Sequence, residues 1–324
     1  MANEGEEFRL RTSAGLAPEV VQRLSRLSPL LATLSLLETW GTIALAIALA
    51  ARFPEPPVIA LAVLAVAARQ HALAILAHQS AHYRMYRTRW INDLSGKLCA
   101  WPLGISMVTY RVIHRIHHNH LYEPIDPDLA LMAGYPRGRL YLARKLAKDL
   151  LGITVFKNYL YFLGPRGTGG EGAKDDTSPV LRAAARRDRW LALVFNGALV
   201  GSLVVLGGSW RYLLLWVLPA FTVLQLLLRL RAVCEHGAPG DEKDPLRAAR
   251  TTLASWPVRW FLFPHSMNYH IEHHLYPNVP HYRLAECHRE LAKKGVLAGA
   301  EVVPTFAGTL SRVFAPAPTP LSNS

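Results

Sequence analysis

Apolar and polar positions alternate along this chain on the scale of whole helices. Four stretches are long and apolar enough to cross a hydrocarbon core of about 30 Å as helices: residues 30–51 (LLATLSLLETWGTIALAIALAA), 58–82, 190–206 and 212–230. A short polar turn joins the first two (Arg52–Pro57, around FPEPP), and another joins the last two (Gly207–Arg211), so the pattern predicts two transmembrane hairpins. Four such runs in two tight hairpins would overfill the core of a soluble domain of this size. Residues 1–28 form a polar leading segment, 29–310 the main domain and 311–324 (ending APAPTPLSNS) a loose tail.

Between the second and third runs the pattern changes. Residues 90–110 are apolar but interrupted by Asn92, Asp93, Lys97 and Pro102, as in a segment lying in the interface or dipping into it. Residues 137–163 mix basic and apolar positions as surface-lying helices do. GPRGTGGEGAKDD (Gly164–Asp176) reads as a loop by composition, and SWPVRWFLFP (Ser255–Pro264) as a second aromatic, interfacial run.

Charge gives the orientation. Arg23 and Arg26 precede the first run, Arg84, Arg87 and Arg89 follow the second, Arg182, Arg186, Arg187 and Arg189 precede the third, and Arg229 and Arg231 close the fourth. The two short turns hold one arginine each, Arg52 and Arg211. Basic residues concentrate on the cytoplasmic side, so both termini and the central segment are expected there. The formal charge of +13 suits an anionic membrane surface or an acidic protein partner. No zinc-finger or RNA-binding signature supports nucleic acid. Cys99, Cys234 and Cys287 stand apart, with no CxxC pair to form a sulfur metal site. The opening MANEGEEFRL lacks the basic-then-apolar pattern of a signal peptide.

The chemistry lies in the 14 histidines. The second run ends in HQSAH, which puts His78 and His82 one helical turn apart on one face. HRIHH carries His114, His117 and His118, and HIEHH carries His270, His273 and His274. On a helix, each HxxHH gathers three imidazoles within about 100° of arc. Imidazole suits iron, and a site with open positions can bind oxygen. Eight or nine neutral imidazoles suffice for two metals, whereas one metal would leave several without a partner. Zinc proteolysis needs glutamate after the first histidine of HxxxH, and Gln79 stands there.

In these boxes, and in the phrases HRIHHNHLYEPIDPD and NYHIEHHLYPNVPHYRL, the chain resembles the membrane fatty acid desaturases over roughly residues 30–310. The resemblance implies an all-α integral membrane protein: two transmembrane hairpins under a cytosolic helical cap that carries a di-iron site at the membrane boundary. It assigns the eight box histidines as iron ligands, with His236 of RAVCEHG as a ninth. Molecular oxygen is then the co-substrate, a fatty acyl chain or other lipid the substrate, and an external ferredoxin-like or cytochrome b5-like protein the electron donor. No HPGG haem-binding motif is present. Gln79 departs from the acid usual at that position, which bears on the surroundings of the metals rather than on the ligands.

Other polar residues have subsidiary readings. Asp126, Asp128 and Glu272 are candidates to orient ligand imidazoles by accepting their second N–H; turn-forming or solvated carboxylates are the ordinary alternative. His120, two residues past its box, and Gln79 belong to the same surrounding set. His71 shares the face of His78 about 10 Å deeper, at 1.5 Å per residue. With Arg69 it is a candidate for the substrate channel or for inward polar packing, and Glu38 is a possible partner for Arg69. Desaturation of an acyl chain is the leading reading. Hydroxylation or ketolation of a lipid or carotenoid uses the same centre. A membrane metal transporter is the reading from another class, and it fits poorly with histidines gathered at the membrane boundary rather than at mid-membrane.

Overall fold

The computed structural model describes residues 15–158, 178–205 and 207–317. The first 14 residues, the Gly164–Asp176 stretch, and the last seven residues of the tail lie outside the described residues.

The described residues are mostly helical. A short helix, α1 (Pro18–Leu24), leads into α2 (Pro29–Arg52) and α3 (Pro56–Ala81), each started by proline in its first turn. Proline suits that position because its missing N–H has no intrahelical acceptor there. α2 and α3 pack along each other, and α3 is the buried axis of the molecule. Next come α4 (Arg89–Ala100) and, after a 3-10 turn at Trp101–Leu103, α5 (Met107–Asn119). The short α6 (Leu129–Met132) and α7 (Arg139–Leu150) follow. The third and fourth long helices are α8 (Pro179–Val205) and α9 (Trp210–His236). The rest comprises β1 (Thr251–Thr252), α10 (Trp256–Leu262), α11 (His270–Leu275), α12 (Leu284–Lys293), β2 (Val302–Val303) and α13 (Phe306–Val313). α2, α3, α8 and α9 are the four described helices long and apolar enough to cross a membrane.

Several boundaries differ from the sequence expectation. α8 starts at Pro179 rather than near residue 190, because the Arg- and Ala-rich stretch before the apolar run is made of strong helix formers. One of its polar residues, Asp188, is buried and accepts from Ser106 Oγ (2.7 Å) and the Val108 N–H (3.1 Å), which caps α5 from a neighbouring helix. α9 continues past Leu230 to His236, where the chain turns so tightly that a Cβ on Gly237 would meet the Val233 carbonyl at 2.5 Å. Residues 90–110 form two helices with a turn between them. α4 turns Trp90, Leu94 and Leu98 outward along one face, the stripe of an interface-lying helix.

The two long helices of the second predicted hairpin pack mainly on different elements. α8 and α9 meet at the Gly207–Gly208 turn and then diverge, α8 onto α5 and the Trp101–Leu103 turn, α9 onto α3. α9 is also irregular: it contains a π-helical turn at Leu213–Val217 and a break at Thr222.

Candidate metal centre

α3 ends on the first histidine box. His78 lies in its last turn, and His82 is the residue that caps it. α5 brings His114, His117 and His118 beside them. The third box is the short helix α11. The Thr251 hydroxyl accepts from the Ile271 N–H (3.2 Å) and donates to Glu272 (2.6 Å), tying α11 to β1, which pairs in parallel with β2. The last turn of α9 adds His236.

The nine imidazoles fall into two adjoining groups. His78, His82, His114, His118 and His273 each bring a ring nitrogen within 4.8 Å of one another, as do His117, His236 and His274. His270 joins the second group, with its Nε2 2.8 Å from His236 Nε2 and 3.2 Å from His274 Nε2. The groups touch through His118 and His274, whose rings stack with centroids 4.4 Å apart.

These contacts could hold a cation. His82 Nε2 faces His114 Nε2 at 2.7 Å, and His118 Nε2 faces His273 Nε2 at 3.1 Å. Only one nitrogen of such a pair can carry a proton, and the remaining lone pairs converge on the same space. His78 Nε2 is buried with no hydrogen-bond partner, an orphan that a metal in that space would satisfy. A donor set made only of imidazole nitrogen suits iron, zinc, copper or nickel.

Burial and the neighbouring imidazoles hold His114, His118, His270, His273 and His274 well below the ordinary histidine range. Burial, aided by the Arg84 charge, takes His82 down to about 4. These rings are therefore neutral at physiological pH, the form that ligates metal. His117 differs. Burial lowers it, but its hydrogen bond to Asp126 and the charges of Asp128, Asp126 and Glu235 more than offset this and hold it above the ordinary range.

Asp126 lies 3.0 Å from His117 Nδ1 and is fixed by the backbone N–H groups of Tyr122 (3.0 Å) and Asp128 (2.9 Å). It therefore accepts the His117 Nδ1–H and leaves Nε2 free for the centre. Asp128 stands farther off, 3.8 Å from His117, and burial raises its carboxyl above the usual range. Glu272 does not face a box imidazole; it accepts from Thr251 and pairs with His288 Nδ1 at 2.5 Å, bracing α11 from behind. His120 turns outward to Glu123 (2.8 Å). Gln79 accepts from the His281 N–H (3.1 Å) and lies 3.4 Å from His78 Nδ1. Arg69 pairs with Glu38 (2.7 Å) and stacks on Trp260, and His71 contacts the Phe261 carbonyl and Arg231, both at 3.4 Å. Both residues are engaged in inward polar packing within the helices.

The residue missed from the sequence is Glu235. It is buried and held by Arg231 (2.9 Å), with its second oxygen 3.7 Å from His270 Nδ1. Its position next to His236 was the available signal. Tyr122 supports the same corner, its hydroxyl lying between the carbonyls of His236 (2.5 Å) and Ala248 (2.8 Å).

The fatty acid desaturase family model matches residues 54–305, a span that includes all nine histidines. An sn-1 acyl-lipid omega-3 desaturase (ferredoxin) of Nostoc sp. (strain 36) is 24% identical over 66% of this chain and 61% of its own length. A dihydrorhizobitoxine desaturase of Bradyrhizobium elkanii is 26% identical over 87% of this chain and 83% of its own. A chloroplastic omega-3 fatty acid desaturase of Glycine max is 26% identical over 66% of this chain. The chain spans less than two thirds of the Nostoc protein and half of the soybean one. With the match covering most of the chain, and with the histidine boxes brought together in space, the protein belongs to the fatty acid desaturase family.

Proposed function

We propose that this protein is an oxygen-dependent acyl-chain desaturase whose nine histidines hold two irons: His78, His82, His114, His118 and His273 one, and His117, His236, His270 and His274 the other. The observation that carries this reading is the division of the imidazoles into two adjoining, mutually facing groups. The chemistry such a centre supplies, when bound, is removal of two hydrogens from adjacent carbons, with oxygen as oxidant and two electrons from outside.

The protein's own part is to position and to exclude. Neutral, buried imidazoles offer lone pairs without charge repulsion. Asp126 fixes the His117 ring, and Glu235, neutralised by Arg231, faces His270. α3, α5, α9 and α11 hold the groups at the ends of rigid elements, as reaction at one chosen pair of carbons requires. In this reading the four long helices form two hairpins, and both termini and the metal centre face the cytoplasm. A separate ferredoxin-like or cytochrome b5-like protein delivers the electrons.

Comparing lipids of a host with and without the expressed gene tests this. An acyl chain lighter by two mass units supports desaturation, and a gain of one oxygen supports hydroxylation or ketolation instead. A second reading has the breadth of one alignment in its favour: the relative named for dihydrorhizobitoxine covers most of both chains. Desaturation of a compound of that kind, with host lipids unchanged, would identify it.

A further inference from the structure

α7 runs down the outside of α9 in the opposite chain direction. Leu142 clusters with Val233 near its start, and the buried Asp149 pairs with Arg229 near its end. Beyond it, the Phe156 ring meets that of Phe221, with centroids 6.3 Å apart. Gly152, at φ +72°, turns the chain onto α9 where a Cβ would lie 3.2 Å from the Phe221 carbonyl. The side of α7 turned away from α9 has no described cover. Leu140, Arg144, Ala147, Lys148 and Leu151 are all exposed there, and their spacing of three or four residues puts them on one face. Leu151 and Phe156 are each 71% exposed, far more than a surface bathed in water alone would favour, and Leu150 and Ile153 stand beside them. Charge is equally one-sided. Residues 133–158 hold six Lys or Arg and a single acid, Asp149, which Arg229 and Thr154 already engage. The exposed cations of this face therefore have no carboxylate of their own segment to neutralise them.

We infer that the outer face of α7, with residues 150–156, is a binding site for anionic phospholipid: Arg144 and Lys148 take the headgroup phosphate, and Leu151, Ile153 and Phe156 lie among the acyl chains. The order of the residues carries this. Counted along α9, Val233 stands three residues before His236, Arg229 seven and Phe221 fifteen. At 1.5 Å per residue, the patch descends from about 5 Å to about 22 Å below that histidine. Its basic side chains lie in the upper part and its large apolar ones in the lower, the order in which a bilayer offers phosphate and then hydrocarbon. Lys157, exposed beside Phe156, has a stem long enough to carry its charge back toward the headgroups. An acidic protein would answer the charges alone and leave Leu151 and Phe156 unmatched. The inference rests on the membrane placement of α9 and not on the reaction catalysed.

The test uses the full chain in phosphatidylcholine nanodiscs doped with a trace of phosphatidylglycerol that carries a diazirine on its acyl chain near the headgroup. The same probe built on phosphatidylcholine is the reference, and crosslinks are mapped by mass spectrometry. Labelling of residues 139–156 should be at least about fivefold stronger with the phosphatidylglycerol probe, the preference that one basic contact supplies. Arg144→Gln with Lys148→Gln should remove that preference. Arg144→Lys with Lys148→Arg keeps both charges and should retain it, which separates a lost charge from a lost fold. Arg289→Gln with Lys294→Gln removes the same charge from exposed residues on and beside α12 and should leave the preference unchanged. Equal labelling by the two probes would overturn the proposal and leave the stripe to an acidic protein. So would a preference that survives the glutamine pair on α7, or one that falls as far in the α12 pair. None of these readouts depends on turnover, so their failure would leave the desaturase reading standing.

Discussion

The two halves of the histidine cluster use the same ligand type in different electrostatic settings. Around His78, His82, His114, His118 and His273, no carboxylate among the described residues lies within 4.0 Å of an imidazole, and the Gln79 amide lies 3.4 Å from His78 Nδ1. Around His117, His236, His270 and His274 there are three, the buried Asp126 and Glu235 and the half-buried Asp128, with Glu235 held by Arg231. A carboxylate that accepts the outer N–H of an imidazole makes it a more basic ligand. The first group therefore compensates in number, with five imidazoles to four, and the second through the carboxylate hydrogen-bonded to His117. Two metals held this way would not be equivalent.

Removing a ligand breaks the comparison most severely. His273→Ala or His117→Ala should abolish turnover and lose the metal of its own group, a larger effect than the roughly 10–100-fold that loss of an outer partner costs. Elemental analysis of the purified protein checks this, and full iron with full activity would rule out the ligand assignment. Next in size, Asp126→Asn should weaken metal binding by about 10–100-fold in the second group alone, seen as one weak and one unchanged phase in a metal titration. Equal weakening of both phases would show that the groups act as one. Glu235→Gln should cost less than that range, because its oxygen lies 3.7 Å from His270 Nδ1, beyond hydrogen-bond reach, against 3.0 Å for Asp126 and His117.

The smallest effect concerns pH. Burial depresses His82 to about 4 and His281 to about 3. Below the unfolded value of about 6.5, the unfolded chain binds protons that these folded rings refuse, so their contribution to stability falls as pH drops toward 4. His117, raised instead, contributes stability below about 6.5 that is lost as pH rises through its folded value. Depressed rings outnumber it, so the melting temperature of the metal-free protein should fall between pH 7 and pH 5. A flat or rising profile would contradict the neutral state of the cluster.

Part of this was legible in the residues. The box histidines stand out because their spacing matches a helix face, and the four apolar runs because hydrocarbon demands continuous length. His236 has no spacing to mark it; it is one histidine after an apolar run, suggested by family resemblance and placed by the continuation of α9 past Leu230. Glu235 was hidden because, with Arg231, it reads as an i,i+4 surface pair, and only the packing of α9 against α11 turns it toward His270. Glu272, a candidate partner for ligands by its place inside a box, is engaged by Thr251 and His288, because a six-residue helix turns one side away from the histidine cluster. The π-turn in α9 follows no hydrophobic period.

The most direct measurement is the iron content of the purified protein and of Asp126→Asn, loaded at the same buffered free-iron concentration, set just high enough to fill both sites of the wild type. Two irons per chain in the wild type and one in the variant are expected from a centre with two unequal halves. A single iron in both proteins, or an equal loss from both sites, would contradict it.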